Sequence, residues 1–379
     1  MKRTPYSRQT IDESDIQAVE QVLRSDFLSQ GPHISAFEQA LQNYLNVKHA
    51  IVCSSGTAAL HLSYLALELN GAFAFTTPIT FAATANMLQA VGAHIRFVDV
   101  DPITGILNLE ALENALKDVP ASAKKIIMPV SLQGIPADLP AIRALAQKYT
   151  ARVVEDAAHS FGAEYQDGQT YKSASCAHTD CATLSFHPLK TITCGEGGAV
   201  TTNHDALAQT IRLLLNHGLQ AQAGTYVRKQ ICWGYNYRLS ELQAALGNSQ
   251  LKRIDAFVAK RRAIARYYEQ RLSQKPYTSH LTCVPFHETS AYHLFVLHFH
   301  NPSARDVVYR QLKEKGIETG VHYVPLYHFD LYRKCVGNLS LPGAEAYYKG
   351  CLSIPIYPQL SQSDQDFVLE QLAACCQTL

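Results

Sequence analysis

From residue 50 to residue 149 the chain alternates short apolar runs with amphipathic helical ones, and nothing else in the sequence constrains the fold as much. Apolar runs at 50–53, 73–76, 94–98 and 125–130 are each followed by a helical pattern, the last at 140–149. Short apolar runs of this kind read as strands buried on both faces, and a helix between two of them is the crossover that parallel strands require. The expected class is α/β, with a largely parallel sheet covered by helices. A chain of 379 residues, 47% of them hydrophobic, can bury more than one core. The alternation fades after residue 250, which divides the chain into a large unit, 1–250, and a smaller α+β unit, 251–379.

The charge balance excludes several classes of function. With 33 basic and 32 acidic residues the net charge is +1, so the chain has no general attraction to nucleic acid or to an anionic membrane. No run of about 18 apolar residues offers a spanning helix. MKRTPYSRQTIDESD has no apolar segment behind its basic residues and does not read as a secretory signal, so a cytoplasmic protein is expected. The ten cysteines are scattered, several of them within apolar runs, which suits reduced thiols rather than a disulfide framework. Cys176-Ala-His-Thr-Asp-Cys181 lacks a second half with zinc-like spacing, and no metal is expected. No GxGxxG follows the first strand, so a nicotinamide dinucleotide is not indicated.

Candidate site residues fall at strand ends, where ligands gather in open α/β sheets. After the strand at 50–53 comes Ser54-Ser55-Gly56-Thr57 and then a helix, a geometry in which free amides and the helix dipole meet an anion such as phosphate. The same residues also fit a simple helix cap by Ser55 or Thr57. The run ARVVED ends in Asp156, a carboxylate suited either to a turn cap or to a buried cationic ring nitrogen. A strand at 182–186 leads to Lys190, the one Lys or Arg between Lys172 and Arg212. An amine held among Phe186, Leu189 and Ile192 loses hydration, which lowers its pKa and favours the nucleophilic free base. The stretch equally fits a lysine whose stem packs on the loop and whose head reaches water.

Elsewhere the pattern predicts a first helix after Asp12 with Ile16, Val19, Val22 and Leu23 on one face, and a second at 34–44. A polar loop follows residue 218. From Ser240 one long helix is expected, carrying Lys252, Arg253, Lys260, Arg261 and Arg262 on a solvated face. LFVLHFH at 294–300 reads as a half-buried strand, Ser303 and Asp306 as a capping pair, and His322 and Tyr323 as the end of a strand.

Taken together, SSGTAAL (54–60), TTPITFAATAN (76–86), VVEDAAHSFGAEY (153–165), SFHPLKTITCGEGGAV (185–200), GYNYRLSELQAALG (234–247), VHYVPLY (321–327) and LSIPIYP (352–358) resemble the pyridoxal-phosphate-dependent sugar aminotransferases of the DegT/DnrJ/EryC1/StrS family. That resemblance implies aminotransferase fold type I, with a mostly parallel seven-stranded sheet in the large domain. It implies that Lys190 is joined covalently to pyridoxal 5'-phosphate and moves the proton, that Asp156 pairs with the ring nitrogen and that His159 lies by the phenolic oxygen. Gly56, Thr57 and Ser185 would hold the phosphate and Phe81 would stack on the ring. Asn236 would reach the cofactor of a partner subunit, which implies a homodimer with shared sites. Tyr6, Gln30, Gly31, His322 and Tyr323 would border the sugar-nucleotide site. Within the family, PYSRQTIDESDI, TTPITFAATANML and HYVPLY resemble the branch that uses L-glutamate to aminate C4 of a UDP-linked 4-keto-6-deoxy-N-acetylhexosamine, giving an L-altrosamine on the way to pseudaminic acid. That branch usually carries Pro after the lysine, where Thr191 stands, and NSATSAL where this chain has SSGTAAL. Another keto sugar nucleotide, or a non-catalytic binding protein of the same fold, are the alternatives. A dehydratase relative has histidine at the lysine position, so Lys190 favours amino transfer.

Overall fold

The computed structural model describes residues 3–222 and 224–379. Asp12 opens α1 (Glu13–Leu23): its carboxylate accepts from the amides of Ser14 and Asp15, and Asp15 accepts from the Asp12 amide in return. This reciprocal cap satisfies amides that the start of a helix leaves free. Of the apolar stripe expected on α1, Val22 is buried while Ile16 and Leu23 remain exposed. In α2 (Pro32–Leu45) proline occupies the first turn, where its missing N–H costs nothing. Then β1 (His49–Cys53), α3 (Gly56–Ala66), β2 (Phe73–Thr76), α4 (Ala82–Ala90), β3 (His94–Phe97), α5 (Leu109–Lys117), β4 (Lys125–Met128), α6 (Leu139–Lys148) and β5 (Ala151–Asp156) follow in the expected alternation. The hairpin β6 (Glu164–Asp167) and β7 (Gln169–Lys172) precedes β8 (Cys181–Ser185) and β9 (Gly198–Thr202).

Seven of these strands form one sheet in the order β1-β9-β8-β5-β4-β2-β3. All neighbours are parallel except β9, which runs antiparallel to both β1 and β8. Because side chains alternate along a strand, Val154 and Met128 pack into the core on one face, and Val153 and Ile127 into the core on the other. The order brings the carboxyl ends of β1, β5 and β8 close together. Gly198 of β9 pairs with Cys53 and with Ser185. A Cβ at that glycine would lie 2.4 Å from the Ser55 carbonyl oxygen, so its absence lets the turn after β1 close on β8.

Past α7 (Asp205–Leu215) the structure departs from the sequence reading. The expected polar loop holds a small hairpin, β10 (Leu219–Ala221) and β11 (Arg228–Gln230), whose side chains are largely exposed. Backbone pairing alone makes these strands, and no apolar pattern announces them. The single long helix is two, α8 (Glu241–Leu251) and α9 (Ile254–Leu272). Its basic run is not a uniformly solvated face: Arg253 pairs with Asp12 and Asp15, and Arg261 is 1% exposed. The Arg261 guanidinium donates to the carbonyls of Tyr292 at 3.1 Å and Ile356 at 2.9 Å.

The remaining chain forms β12 (Leu281–Cys283), β13 (Phe295–Phe299), α10 (Pro302–Glu314), α11 (Asp330–Val336), α12 (Pro342–Gly350), β14 (Cys351–Ile354) and α13 (Gln362–Gln377). The antiparallel sheet β12-β13-β14 leaves β13 in the centre, buried along its whole length rather than half-buried. Asn301, not Ser303, caps α10, and Asp306 pairs with Arg305. His322 and Tyr323 lie in a loop and end no strand; Gly320 makes an isolated bridge to Ser353. Phe257 and Val258 of α9 join the core of the large sheet, while Ile264 and Tyr268 join that of the small one. Among the described residues no helix is long and apolar enough to cross a membrane.

Arg261 thus ties α9 to the segments before β13 and after β14. Replacing it by alanine leaves buried carbonyls unpaired and should cost about 3 kcal/mol. Urea unfolding of Arg261→Ala against the parent checks this; an unchanged midpoint would remove the carbonyl contacts from the account of stability.

Candidate active site

Three strand ends build the site. After β1, the Ser55 hydroxyl accepts the Ala58 amide at 3.1 Å, so the helix cap considered from sequence is present. It uses one free amide of α3 and leaves those of Gly56 and Thr57 at the cavity, available to an anion. A Cβ on Gly56 would stand 2.8 Å from the Ser185 Cβ, so glycine here lets the end of β8 close on α3. At the end of β5, Glu155 and Asp156 face opposite ways. Glu155 is fully buried and accepts from the hydroxyls of Ser131 and Ser173 and from the Ala174 amide. Asp156 lines the cavity and accepts from the Thr84 hydroxyl at 2.6 Å and the Ala158 amide at 3.2 Å. After β8, Phe186 packs against Phe37 and Phe161, and the Cys194 amide returns to its carbonyl. That closure presents Lys190 to the cavity.

The cavity has a volume of about 400 Å³. Tyr6, Gly56, Thr57, Phe81, Asp156, His159, Ser185, Lys190, His322 and Tyr323 all line it. Gln30, Gly31 and Asn236 do not: the Gly31 amide donates to Glu241, and Asn236 is exposed on a segment bridged to Asn216. Sequence reasoning missed Thr84, His187, Glu196 and His293, which also line it, and the supporting Glu155. Thr84 stands in TTPITFAATAN at a helical position facing β5, a signal that could have found it. Nothing local marks His293, which the tertiary fold delivers.

Burial lowers the Lys190 ammonium to about 8, while the negative charge of Asp156 works in the opposite direction. Burial raises Asp156, against the hydrogen bonds from Thr84 and Ala158 and the charge of Lys190. His159 and His293 are held well below the usual imidazole range by burial and are neutral, with ring centroids 4.2 Å apart. The Tyr323 hydroxyl lies 3.2 Å from His159 Nε2. Burial and the charge of Lys190 bring His322 to about 4. Lys190 is the one cation that lines the cavity among the described residues. A depressed amine, a buried carboxylate and a row of free amides suit covalent capture of a carbonyl compound that also carries a phosphate.

Comparison with known proteins agrees with this chemistry. The family model described as DegT/DnrJ/EryC1/StrS aminotransferase family matches residues 9–373. The chain belongs to the DegT/DnrJ/EryC1/StrS aminotransferase family. It is 36% identical over 368 residues, 97% of this chain and 96% of the relative, to the UDP-4-amino-4,6-dideoxy-N-acetyl-beta-L-altrosamine transaminase of Campylobacter jejuni subsp. jejuni serotype O:2. Helicobacter pylori PseC, an aminotransferase involved in the biosynthesis of pseudoaminic acid, superposes with a TM-score of 0.93 at 30% identity, covering 100% of both chains. NtdA of Bacillus subtilis with bound cofactor PMP gives a TM-score of 0.87 at 28% identity, over 97% of this chain and 83% of that one. The fold of this DegT/DnrJ/EryC1/StrS member is therefore the α/β aminotransferase fold expected from its motifs. Its Thr191, the residue after the lysine, is buried within the lysine loop. Among the described residues no group of His, Cys, Asp or Glu could hold a metal ion.

In protein whose Lys190 amine is free, reaction with an acylating reagent should rise through about pH 8, because the amine loses its proton there. Exposed lysines should respond nearer their ordinary range, about pH 10.4. Asp156→Asn removes the charge that helps retain the proton, so its midpoint should fall. Peptide mass spectrometry across a pH series measures both, and an unshifted Lys190 midpoint would contradict the desolvated amine.

Proposed function

We propose that this protein is a pyridoxal-phosphate-dependent aminotransferase that moves an amino group from L-glutamate to C4 of a UDP-linked 4-keto-6-deoxy-N-acetylhexosamine, giving the L-altrosamine product in pseudaminic acid biosynthesis. The observation that carries this reading is Lys190, its proton affinity lowered by burial, facing Asp156 across a cavity floored by the start of α3. The altrosamine transaminase relative and the PseC neighbour support the choice of sugar.

The residues fit the cofactor. Gly56 and Thr57 offer amides to its phosphate at a helix N-terminus, with the Ser185 hydroxyl beside them. Asp156, buried yet hydrogen-bonded, would face the ring nitrogen and hold a positive charge there. Neutral His159 would meet the phenolic oxygen. Phe81, 62% exposed at the cavity edge, offers its ring as a stacking surface. When bound, pyridoxal phosphate supplies a carbonyl that accepts an amine and a ring that withdraws electrons from it. Lys190 Nζ then takes a proton from the α-carbon of the donor and, in the second half of the cycle, returns one to C4 of the sugar. Tyr6, His322 and Tyr323 would orient that sugar and keep water from it.

Residues 1–250 serve as the cofactor-binding unit and 251–379 as the smaller one, and the enzyme works in the cytoplasm, where its ten free cysteines stay reduced. A homodimer with shared sites is supported by two observations. Phe27, Leu28, Tyr226 and Trp233 are exposed, Tyr226 at 99% and Trp233 at 87%. Among the described residues the cavity also offers one cation, although a nucleotide diphosphate and a dicarboxylate are to enter it. Gln30, Gly31 and Asn236 would complete the neighbouring site.

Lys190→Ala should abolish amino transfer and the visible absorbance of the lysine-bound cofactor; near-normal turnover would refute the mechanism. Product mass spectrometry across a panel of keto sugar nucleotides tests the substrate, and activity confined to 3-keto sugars would refute C4 amination. Mixing Lys190→Ala with Asn236→Ala subunits should restore activity, because one site of each mixed dimer regains both residues. No recovery would place Asn236 in its own chain's site or outside catalysis.

A further inference from the structure

His322 lines the cavity beside Lys190, yet one of its ring nitrogens already has a partner: Nδ1 lies 2.8 Å from the Ser353 hydroxyl oxygen. Ser353 belongs to β14, is 1% exposed and lies behind the cavity wall. One proton occupies the bond between them. Were it the Nδ1 proton, the buried serine hydroxyl would need a second acceptor, and among the described residues it makes no other hydrogen bond. A buried donor left without an acceptor costs free energy. When the hydroxyl donates instead, both groups are satisfied and the imidazole proton resides on Nε2.

The rest of His322 is held as firmly. The Tyr347 hydroxyl donates to its carbonyl at 2.9 Å, and the Tyr6 ring packs 5.3 Å from its centroid. Just before it, Gly320 exchanges backbone hydrogen bonds with Ser353, so the loop and the serine cannot separate freely. Burial and the nearby charge of Lys190 keep the ring neutral. What the surroundings select is therefore the tautomer.

We propose that Ser353 is a positioning residue of the amino-transfer site: its hydroxyl holds His322 in the Nε2–H form, a fixed neutral hydrogen-bond donor for an oxygen of the acceptor sugar. The sugar assignment rests on the function proposed above, whereas the tautomer does not. A neutral donor suits this place, because a second positive charge beside Lys190 would further weaken that amine's hold on its proton.

Protein labelled with nitrogen-15 at histidine and freed of cofactor tests the tautomer by NMR, the His322 signals being identified by their loss in His322→Gln. The expected result is a protonated Nε2 and a bare Nδ1 in the parent, with the preference lost in Ser353→Ala. A protonated Nδ1 in the parent overturns the proposal whatever the variants do. Single-turnover rates then separate the two half-reactions. Ser353→Ala should lower the sugar half-reaction about tenfold, the worth of one well-placed hydrogen bond, and leave the glutamate half-reaction within about twofold. Ser353→Thr, which retains the hydroxyl, should recover the rate and the tautomer. Equal losses in both half-reactions, or no loss despite an altered tautomer, would overturn the role in sugar recognition. Absence of any amino transfer in the parent would instead sink the functional reading and leave the tautomer standing.

Discussion

A carboxylate buried at the end of a central strand is the constraint on which the rest of this structure depends. Burial pushes the proton affinity of Asp156 up, so the fold must supply donors to keep a negative charge useful there. Thr84 supplies one from α4, and its own position is fixed by Thr80 at 3.0 Å and by the Tyr64 hydroxyl on its carbonyl. On the opposite face of β5, Glu155 gathers Ser131, Ser173 and the Ala174 amide. The strand end is thereby gripped from both sides. A charge held this way changes little in position as a reaction proceeds, which is the condition for electrostatic assistance in a low-dielectric site.

Lys190 answers that charge from a neighbouring strand end, and the remaining walls come from far along the chain. The N-terminal segment pairs Thr4 with Gly316 and Glu318, gives the Tyr6 carbonyl to the Ile356 amide, and sets the Ser7 hydroxyl on the Leu189 carbonyl, next to the lysine. It runs from the small sheet to the lysine loop and carries Tyr6 into the cavity on the way. His293, His322 and Tyr323 arrive from the C-terminal side. Excluding water in this manner strengthens each charge inside and lowers the amine's affinity for its proton.

The parallel sheet was legible because buried strands joined by helices leave apolar runs of recognisable length. Lys190 and Asp156 were legible because both follow such runs, at the ends where ligands collect. The β10–β11 hairpin was not, since strands without a buried face carry no period. Arg261 read as a surface charge because a basic run on a helix usually is one; only the carbonyls brought by β13 and β14 make its burial tolerable. His293 sits in a stretch with no chemical signature of its own, and its place beside His159 exists only after the small sheet has docked. Asn301 took the capping role assigned to Ser303 because Pro302 fixes the helix start two residues earlier.

The residues expected at the site but missing from the chain's own cavity are missing together. Glu241, fully buried at the start of α8, accepts from the amides of Gly31, His33 and Ile34, and its own amide donates to the Leu28 carbonyl. Ser29 bridges to Ser240. One carboxylate therefore ties the Gln30–Gly31 turn to the start of α8, a few residues after Asn236. A Cβ at Gly31 would stand 2.9 Å from a Glu241 oxygen, so the turn's closeness depends on glycine. Phe27 and Leu28 border this turn, and each is about half exposed. An anchored polar turn edged with apolar side chains in water is costly for a single chain to maintain and inexpensive once a second surface covers it. The buried Glu241 carboxylate explains why this turn holds one place within the chain.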